Sequence, residues 1–146
     1  MANEKQTIHP DILLAEDGAA DAKLVQTILA HANPALKIEW VADGEAALER
    51  LFTQQMRPRL ILLDIMMPGM DGLELLYRIK SHSGTHDIPV VMLTSLETEN
   101  AIVSSYKMGV TAYVTKPIHR AALLDALAAA GCDWMIPEHS EHKEPE

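Results

Sequence analysis

Residues 60–72 read Leu-Ile-Leu-Leu-Asp-Ile-Met-Met-Pro-Gly-Met-Asp-Gly, and this stretch decides the fold class. The run Leu60–Leu63 is too continuously apolar for a strand with one wet face, so it predicts a strand covered by helices on both sides. Asp64 ends that strand, and the Pro-Gly and Asp-Gly pairs predict a turn into a helix at about Leu73–Ser81. Strand and helix are therefore expected to alternate outward in both directions.

The rest of the chain keeps this alternation. The predicted strands are Ile12–Ala15, Lys37–Val41, Leu60–Asp64, Pro89–Thr94 and Ala112–Thr115. The first predicted helix is about Ala20–Ala32, with an apolar stripe of Leu24, Val25, Ile28 and Leu29. The second is capped by Asp43, turns Ala46, Ala47, Leu48 and Leu51 inward and ends before Arg57-Pro58. The other three are about Leu73–Ser81, Glu97–Met108 and Arg120–Ala130, the last of which stops at Gly131. This order predicts an α/β fold, a doubly wound five-stranded parallel sheet with helices on both faces.

Length and composition narrow the class of protein. With 146 residues, 48% of them hydrophobic, the chain fits one domain, expected at residues 11–131 between an arm (1–10) and a tail (132–146). A net charge of −9 without a basic stripe argues against nucleic-acid binding. The apolar runs are too short to span a bilayer, and the single Cys132 suits a reducing compartment, so a cytoplasmic protein without a membrane role is expected.

Polar side chains follow the predicted strands where a doubly wound sheet forms its ligand crevice. Glu16, Asp17 and Asp64 would repel one another there, which raises carboxyl pKa values unless a divalent cation such as Mg²⁺ joins them. Lys116 and the Thr94 hydroxyl would complete a phosphoryl site, with Asp64 on the central strand as the nucleophile. Each residue alone has an ordinary structural interpretation, as a helix cap, a solvated lysine or a strand-end hydroxyl; their joint occurrence favours function.

Over about Asp11–Ala130 the sequence resembles the receiver domains of bacterial response regulators in two-component systems, whose fold is flavodoxin-like. The similarity rests on four blocks: Ile-Leu-Leu-Ala-Glu-Asp at 12–17, the stretch at 60–72, Pro-Val-Val-Met-Leu-Thr-Ser at 89–95 and Ala-Tyr-Val-Thr-Lys-Pro at 112–117. The resemblance implies that Asp64 accepts a phosphoryl group from a histidine of a sensor kinase or a phosphotransfer protein. It implies a signalling protein rather than an enzyme.

The same resemblance assigns roles around Asp64. Asp17 should bind Mg²⁺ directly, Glu16 through water, and Met66 through its backbone carbonyl. Thr94 and Tyr113 should form the conformational switch. The Lys116-Pro117 peptide bond is expected to be cis, an isomer that an X-Pro bond can adopt.

A narrower similarity is to the single-domain regulators that accompany phytochrome sensor kinases. It rests on Ser104-Ser105-Tyr106, the block from Tyr113 to Pro117, and Trp134-Met135-Ile136-Pro137. It implies a bacteriophytochrome as a partner. The apolar tail residues favour a symmetric homodimer through the fourth predicted helix, the fifth strand, the fifth helix and the tail, with packing onto the same subunit as the alternative.

Two positions depart from the family pattern, and three other functions compete. Met66 and Leu96 stand where many members carry a polar side chain that orients hydrolytic water, which predicts a long-lived phosphoryl group.

An FMN binder would share the architecture, but its phosphate would meet the acidic loop after the first strand. An aspartyl-phosphate phosphohydrolase would want a carboxylate at Met66. A degenerate receiver that only binds partners is opposed by the complete set of site residues.

Overall fold

The architecture is that of a computed structural model, which describes residues 9–95 and 107–132. Its elements are β1 (Ile12–Ala15), α1 (Ala19–Ala32), β2 (Ile38–Val41), α2 (Gly44–Leu48) running into a π-helical segment (Glu49–Thr53), β3 (Leu60–Asp64), α3 (Gly72–Ser81), β4 (Val90–Thr94), β5 (Ala112–Thr115) and α4 (Arg120–Ala129). The helix predicted at Glu97–Met108, except its last two residues, and the tail from Asp133 onward lie outside the described residues.

All five strands form one parallel sheet in the order β2-β1-β3-β4-β5. The chain moves from β1 outward to β2 and then returns to place β3 on the other side of β1. Strand order therefore reverses between β1 and β3, which puts the crevice for a ligand at their carboxyl ends. This sheet confirms the predicted doubly wound, flavodoxin-like fold.

Each face of the sheet carries its own core, because neighbouring residues of a strand point to opposite sides. Ile12 and Leu14 of β1 pack with α1 and α4, whereas Leu13 and Ala15 pack with α2 and α3. Every residue of β1, β3 and β4 is buried. This explains why those strands are continuously apolar, and it leaves their polar ends as the place for chemistry.

The structure moves several predicted boundaries by one residue and corrects one core assignment. Leu24 is 38% exposed, while Ala22, Val25 and Leu29 lie in the core. At 100° per residue Leu24 lies beyond the edge of the stripe that these residues and Ile28 form. The second predicted stripe is confirmed for Ala47 and Leu51, which are fully buried, while Ala46 and Leu48 pack at its margin.

The second predicted helix is real but changes its hydrogen-bond pattern after one turn. Asp43 caps it as expected, accepting a hydrogen bond of 2.7 Å from the Ala46 N–H. From Glu49 to Thr53 the backbone is π-helical, a feature that apolar spacing does not encode. Among the described helices, none has the length and apolar character needed to cross a membrane.

Candidate acidic functional site

Three carboxylates meet at the carboxyl ends of β1 and β3. Glu16 and Asp17 directly follow β1, and Asp64 is the last residue of β3. One oxygen from each lies within 4.8 Å of the other two. Glu16 and Asp64 are buried, whereas Asp17 is exposed. The sequence-predicted acidic cluster is thus assembled, with one side open to solvent.

The turn after β3 brings α3 tightly against the end of that strand. A Cβ on Gly72 would lie 2.2 Å from the Asp64 carbonyl oxygen, so only glycine fits there. The Gly72 N–H donates to the Ile65 carbonyl (2.8 Å), and Asp71 caps α3 by accepting from the Glu74 N–H (3.0 Å). The Asp-Gly pair therefore fixes the backbone beside Asp64.

The two oxygens of the Asp64 carboxylate have different partners. Oδ1 accepts a hydrogen bond from the Met66 N–H at 3.1 Å, and Oδ2 lies 3.2 Å from the Lys116 ammonium. The backbone contact orients the carboxylate, because Met66 lies only two residues further on. Oδ2 is left facing the positive charge.

Lys116 directly follows β5 and reaches the cluster from there, and the Lys116-Pro117 peptide bond is cis, as predicted. Its Nζ lies 3.1 Å from Glu16 Oε1, 3.2 Å from Asp64 Oδ2 and 3.2 Å from Asp21 Oδ2. One ammonium group thus offsets three carboxylates. The site keeps an excess of negative charge.

Burial and charge perturb both partners of the central ion pair. Burial raises the pKa of Asp64 to about 7, and repulsion by Glu16 adds to the rise, while Lys116 and the Met66 N–H oppose it. Burial alone would lower the pKa of Lys116; attraction by Asp64 and Glu16 outweighs burial, so that pKa is raised overall. The sequence predicted an upward shift from mutual repulsion; for Asp64 the shift is upward, but burial is its largest cause and repulsion by Glu16 comes second.

The remaining predicted site residues that the structure describes lie on β4, on β5 and in the loop after β3. Thr94, at the end of β4, is buried, and its hydroxyl donates to the Ser95 carbonyl at 3.2 Å. Thr94 pairs with Thr115 across β4 and β5, which places it one residue from Lys116. Tyr113 is 40% exposed on β5, and Met66 is 56% exposed. Leu96 lies outside the described residues.

Asp21 is the site contact that the sequence pattern did not reveal. It lies in the first turn of α1, and its side chain is 38% exposed. The only signal is an acidic residue four positions after Asp17, and acidic residues are common in any first helical turn because they favour the helix dipole. Asp21 and Lys116 are 95 positions apart in the sequence, and only the fold brings their side chains into contact.

A groove of about 630 Å³ lies elsewhere, between α2 with its π-helical extension and α3. Its lining includes Leu48, Phe52, Tyr77 and His82, and it shares no residue with the acidic cluster. Shape and chemistry therefore single out different places. The acidic cluster is the functional candidate because two of its three carboxylates are buried, whereas the charged residues of the groove, among them Glu45, Glu74 and Arg78, are exposed to water.

The chain belongs to the response regulator receiver family. The family model described as response regulator receiver domain matches residues 12–128, which include every sequence-predicted site residue. The resemblance noted from the sequence is thereby confirmed.

Phytochrome-associated regulators are among the similar proteins. Response regulator Rcp1 of Synechocystis sp. is 39% identical over 110 residues, 72% of this chain and 75% of Rcp1. Its solved Mn²⁺-bound form has a TM-score of 0.66 at 36% identity, covering 86% of this chain and 94% of that one. The bacteriophytochrome response regulator RtBRR has a TM-score of 0.76 at 37% identity, with coverages of 85% and 79%. The structure of the phosphorylated cyanobacterial phytochrome response regulator RcpA has a TM-score of 0.71 at 34% sequence identity, covering 89% of this chain and 95% of RcpA.

Proposed function

We propose that this chain is a phosphorelay receiver in which Asp64 accepts a phosphoryl group from a partner's phosphohistidine with the help of Mg²⁺. The observation that carries the proposal is the geometry of Asp64, whose Oδ1 is held by the Met66 N–H while Oδ2 lies against the Lys116 ammonium. A buried carboxylate facing a cation is suited to attack phosphorus, because this transfer needs charge neutralisation and alignment more than proton transfer.

The acidic cluster fits a divalent cation. Glu16 Oε1 is buried and accepts no hydrogen bond of standard geometry from the described residues, although the Lys116 ammonium lies 3.1 Å away as an ion-pair partner, so a lone pair remains for a further ligand. Exposed Asp17 offers a carboxylate on the open side. By analogy with the family, Asp17, Asp64 and the Met66 carbonyl would bind Mg²⁺ directly and Glu16 through water. Mg²⁺ would neutralise phosphoryl oxygens, and the solved Mn²⁺-bound form of Rcp1 shows that a similar protein binds a divalent ion.

The protein's own groups account for the rest of the transfer. An Asp64 oxygen forms the new O–P bond as the N–P bond of phosphohistidine breaks, and the electron pair of that bond returns to the imidazole nitrogen. Lys116 offsets charge on the phosphoryl oxygens. The Thr94 hydroxyl turns from the Ser95 carbonyl to donate a hydrogen bond to a phosphoryl oxygen. The half-exposed Tyr113 on β5 then changes its position in response, as the second residue of the proposed switch.

The test is covalent labelling of the purified chain. Incubation with acetyl phosphate and Mg²⁺ should add the mass of one phosphoryl group, and the modified peptide should contain Asp64. Chelation of the metal with EDTA should prevent the addition. An unchanged mass, or a modification on another peptide, would show that the proposed function is wrong.

The phosphoryl group should be long-lived because of Met66. This side chain is exposed beside Asp64 and cannot hydrogen-bond an attacking water molecule. A Met66→Asn variant should therefore lose its phosphoryl group about tenfold faster, a modest share of what positioned polar groups contribute to proton transfer. Decay of the phosphorylated protein after removal of the phosphodonor measures this; Met66→Leu is the matched control, and equal decay in all three proteins contradicts the prediction.

The partner follows from the relatives rather than from the site. We propose a cytoplasmic histidine kinase or phosphotransfer protein as the donor, and a bacteriophytochrome in particular, because phytochrome-associated regulators are among the similar proteins. The proposed organisation keeps residues 1–10 as an arm, 11–131 as the receiver and 132–146 as a tail.

A homodimer remains the proposed assembly, through the predicted helix Glu97–Met108, β5, α4 and the tail. Of that face, the described part shows Tyr113 exposed on β5. Sedimentation of the full chain should give a dimer, and a chain ending at Gly131 should shift toward monomer. A truncated chain that stays fully dimeric would remove the tail from the interface.

A further inference from the structure

We propose that Asp21 is a positioning residue that holds the Lys116 ammonium over Asp64 once the metal is bound. The inference rests on the proposed phosphotransfer to Asp64 and deepens it. Its basis is the 3.2 Å contact between Asp21 Oδ2 and Lys116 Nζ. Three carboxylates surround that ammonium, those of Glu16, Asp21 and Asp64. Glu16 and Asp64 also belong to the acidic cluster that could hold a metal ion, and Asp21 does not.

Metal binding divides these three carboxylates into two groups. Glu16 and Asp64 belong to the acidic cluster, so a divalent cation there would share their charge and weaken their attraction for the ammonium. Asp21 lies outside that cluster and keeps its full charge for the ammonium. It is therefore the contact that still fixes Lys116 when the site is ready for transfer.

Lys116 needs such a contact because of its side chain. A lysine carries a compact charge on a flexible four-carbon stem, and holding it in one geometry costs side-chain entropy. The Lys116 side chain is 21% exposed, so it has an open route to solvent. An anchor from Asp21 in the first turn of α1 keeps the ammonium near Asp64 Oδ2, which lies 3.2 Å from Lys116 Nζ.

The anchor is weak enough to permit transfer. Asp21 is 38% exposed, whereas the Glu16 side chain is 1% exposed, so water competes for the Asp21 carboxylate. A phosphoryl group arriving with two negative charges can then attract the ammonium without breaking a buried pair. Gly18 keeps room for Glu16, since a Cβ there would lie 3.2 Å from Glu16 Oε2, whereas the 3.7 Å to Asp21 Oδ2 would be an ordinary contact.

The test measures phosphorylation of Asp64 by acetyl phosphate in saturating Mg²⁺. Asp21→Asn should slow the reaction about threefold to fivefold, the range that a partly exposed ion pair supports. Asp21→Glu should restore at least half of the rate, and the Mg²⁺ dissociation constant from calorimetry should change less than about twofold because Asp21 is not a ligand. Glu45→Gln, which removes an equal charge at an exposed position away from the cluster, is the control for long-range repulsion of the phosphodonor.

A double-mutant cycle separates positioning from a structural role. In a Lys116→Met background, where no ammonium is left to position, Asp21→Asn should cause no further slowing. An Asp21→Asn rate equal to that of the unaltered protein, or equal slowing in both backgrounds, would overturn the proposal while phosphorylation of the unaltered protein upholds the function. If the unaltered chain accepts no phosphoryl group, the proposed function itself is wrong, and the inference that rests on it falls too.

Discussion

Replacing Asp64 with asparagine should abolish phosphorylation and at the same time stabilise the fold at neutral and higher pH. The amide has the shape of the carboxylate and can accept the same hydrogen bond from the Met66 N–H, but it has no anionic oxygen to attack phosphorus. We expect labelling by acetyl phosphate to fall by at least about a thousandfold, since removal of a nucleophile leaves only background chemistry.

The stability gain follows from the raised pKa of Asp64. Burial and the nearby Glu16 raise this pKa from 3.8 to about 7, so the folded protein keeps a proton that the unfolded chain has released between these two values. The free energy of unfolding therefore decreases as pH rises through that window, and the cost is complete above about pH 7. Asp64→Asn removes this cost. The raised pKa already includes the attraction to Lys116, so we expect a net gain on the order of 2 to 4 kcal/mol above neutral pH.

Denaturant unfolding at several pH values without Mg²⁺ provides the measurement. The unaltered protein should lose stability between about pH 4 and pH 7 relative to Asp64→Asn, and the two should converge at the acidic end of that window. Asp125→Asn makes the same chemical change at an exposed position of α4 and should leave the pH profile unchanged. Parallel profiles for Asp64→Asn and the unaltered chain would contradict the pKa shift.

The fold was predictable because its strands are encoded locally. Leu60–Leu63 has no polar residue, and β1 and β4 beside it are apolar runs followed by polar ends, so a parallel sheet covered by helices follows from alternation. The flavodoxin-like topology was implied by the family resemblance. The boundary of α3 was missed by one residue because Gly72 reads as a turn residue. In the structure its lack of a side chain instead allows close packing against Asp64.

The site was predictable only as far as strand ends define it. Strand ends gather Glu16, Asp64 and Lys116 by topology, since the carboxyl ends of parallel strands share one edge. Asp21 stands on a helix, where facing direction depends on the rotation of that helix against the sheet. Tertiary packing sets that rotation, so the Asp21–Lys116 contact could not be predicted from the sequence alone.

Replacing Lys116 with methionine should have the second large effect, because it removes the positive charge beside two buried carboxylates. Glu16 and Asp64 would then face each other with no counterion while they are 0% and 2% exposed. Breaking a buried ion pair from one side costs about 3 to 5 kcal/mol, and we expect the lower value here because Asp17 leaves the site open to water. Since Lys116 lowers the pKa of Asp64, its removal raises that pKa further, so the loss should be largest at alkaline pH and shrink as pH falls toward neutral and Asp64 takes up a proton.

Mg²⁺ should reverse much of this destabilisation, and that reversal distinguishes lost charge from lost packing. In the unaltered protein the ammonium lies about 3 Å from Glu16 and Asp64 and competes with a metal ion for them. Without it, Mg²⁺ should bind more tightly, and its binding to the folded state alone should raise the unfolding midpoint more than in the unaltered protein. Phosphorylation should nevertheless stay about a hundredfold slower, because Mg²⁺ does not replace the charge that Lys116 places on the phosphoryl oxygens. Lys23→Met, an exposed lysine of α1, should show neither effect. If Mg²⁺ raised the unfolding midpoint equally in the unaltered protein, Lys116→Met and Lys23→Met, the ammonium would not compete with the metal. Loss of the ammonium would then have left the affinity of the carboxylates for Mg²⁺ unchanged.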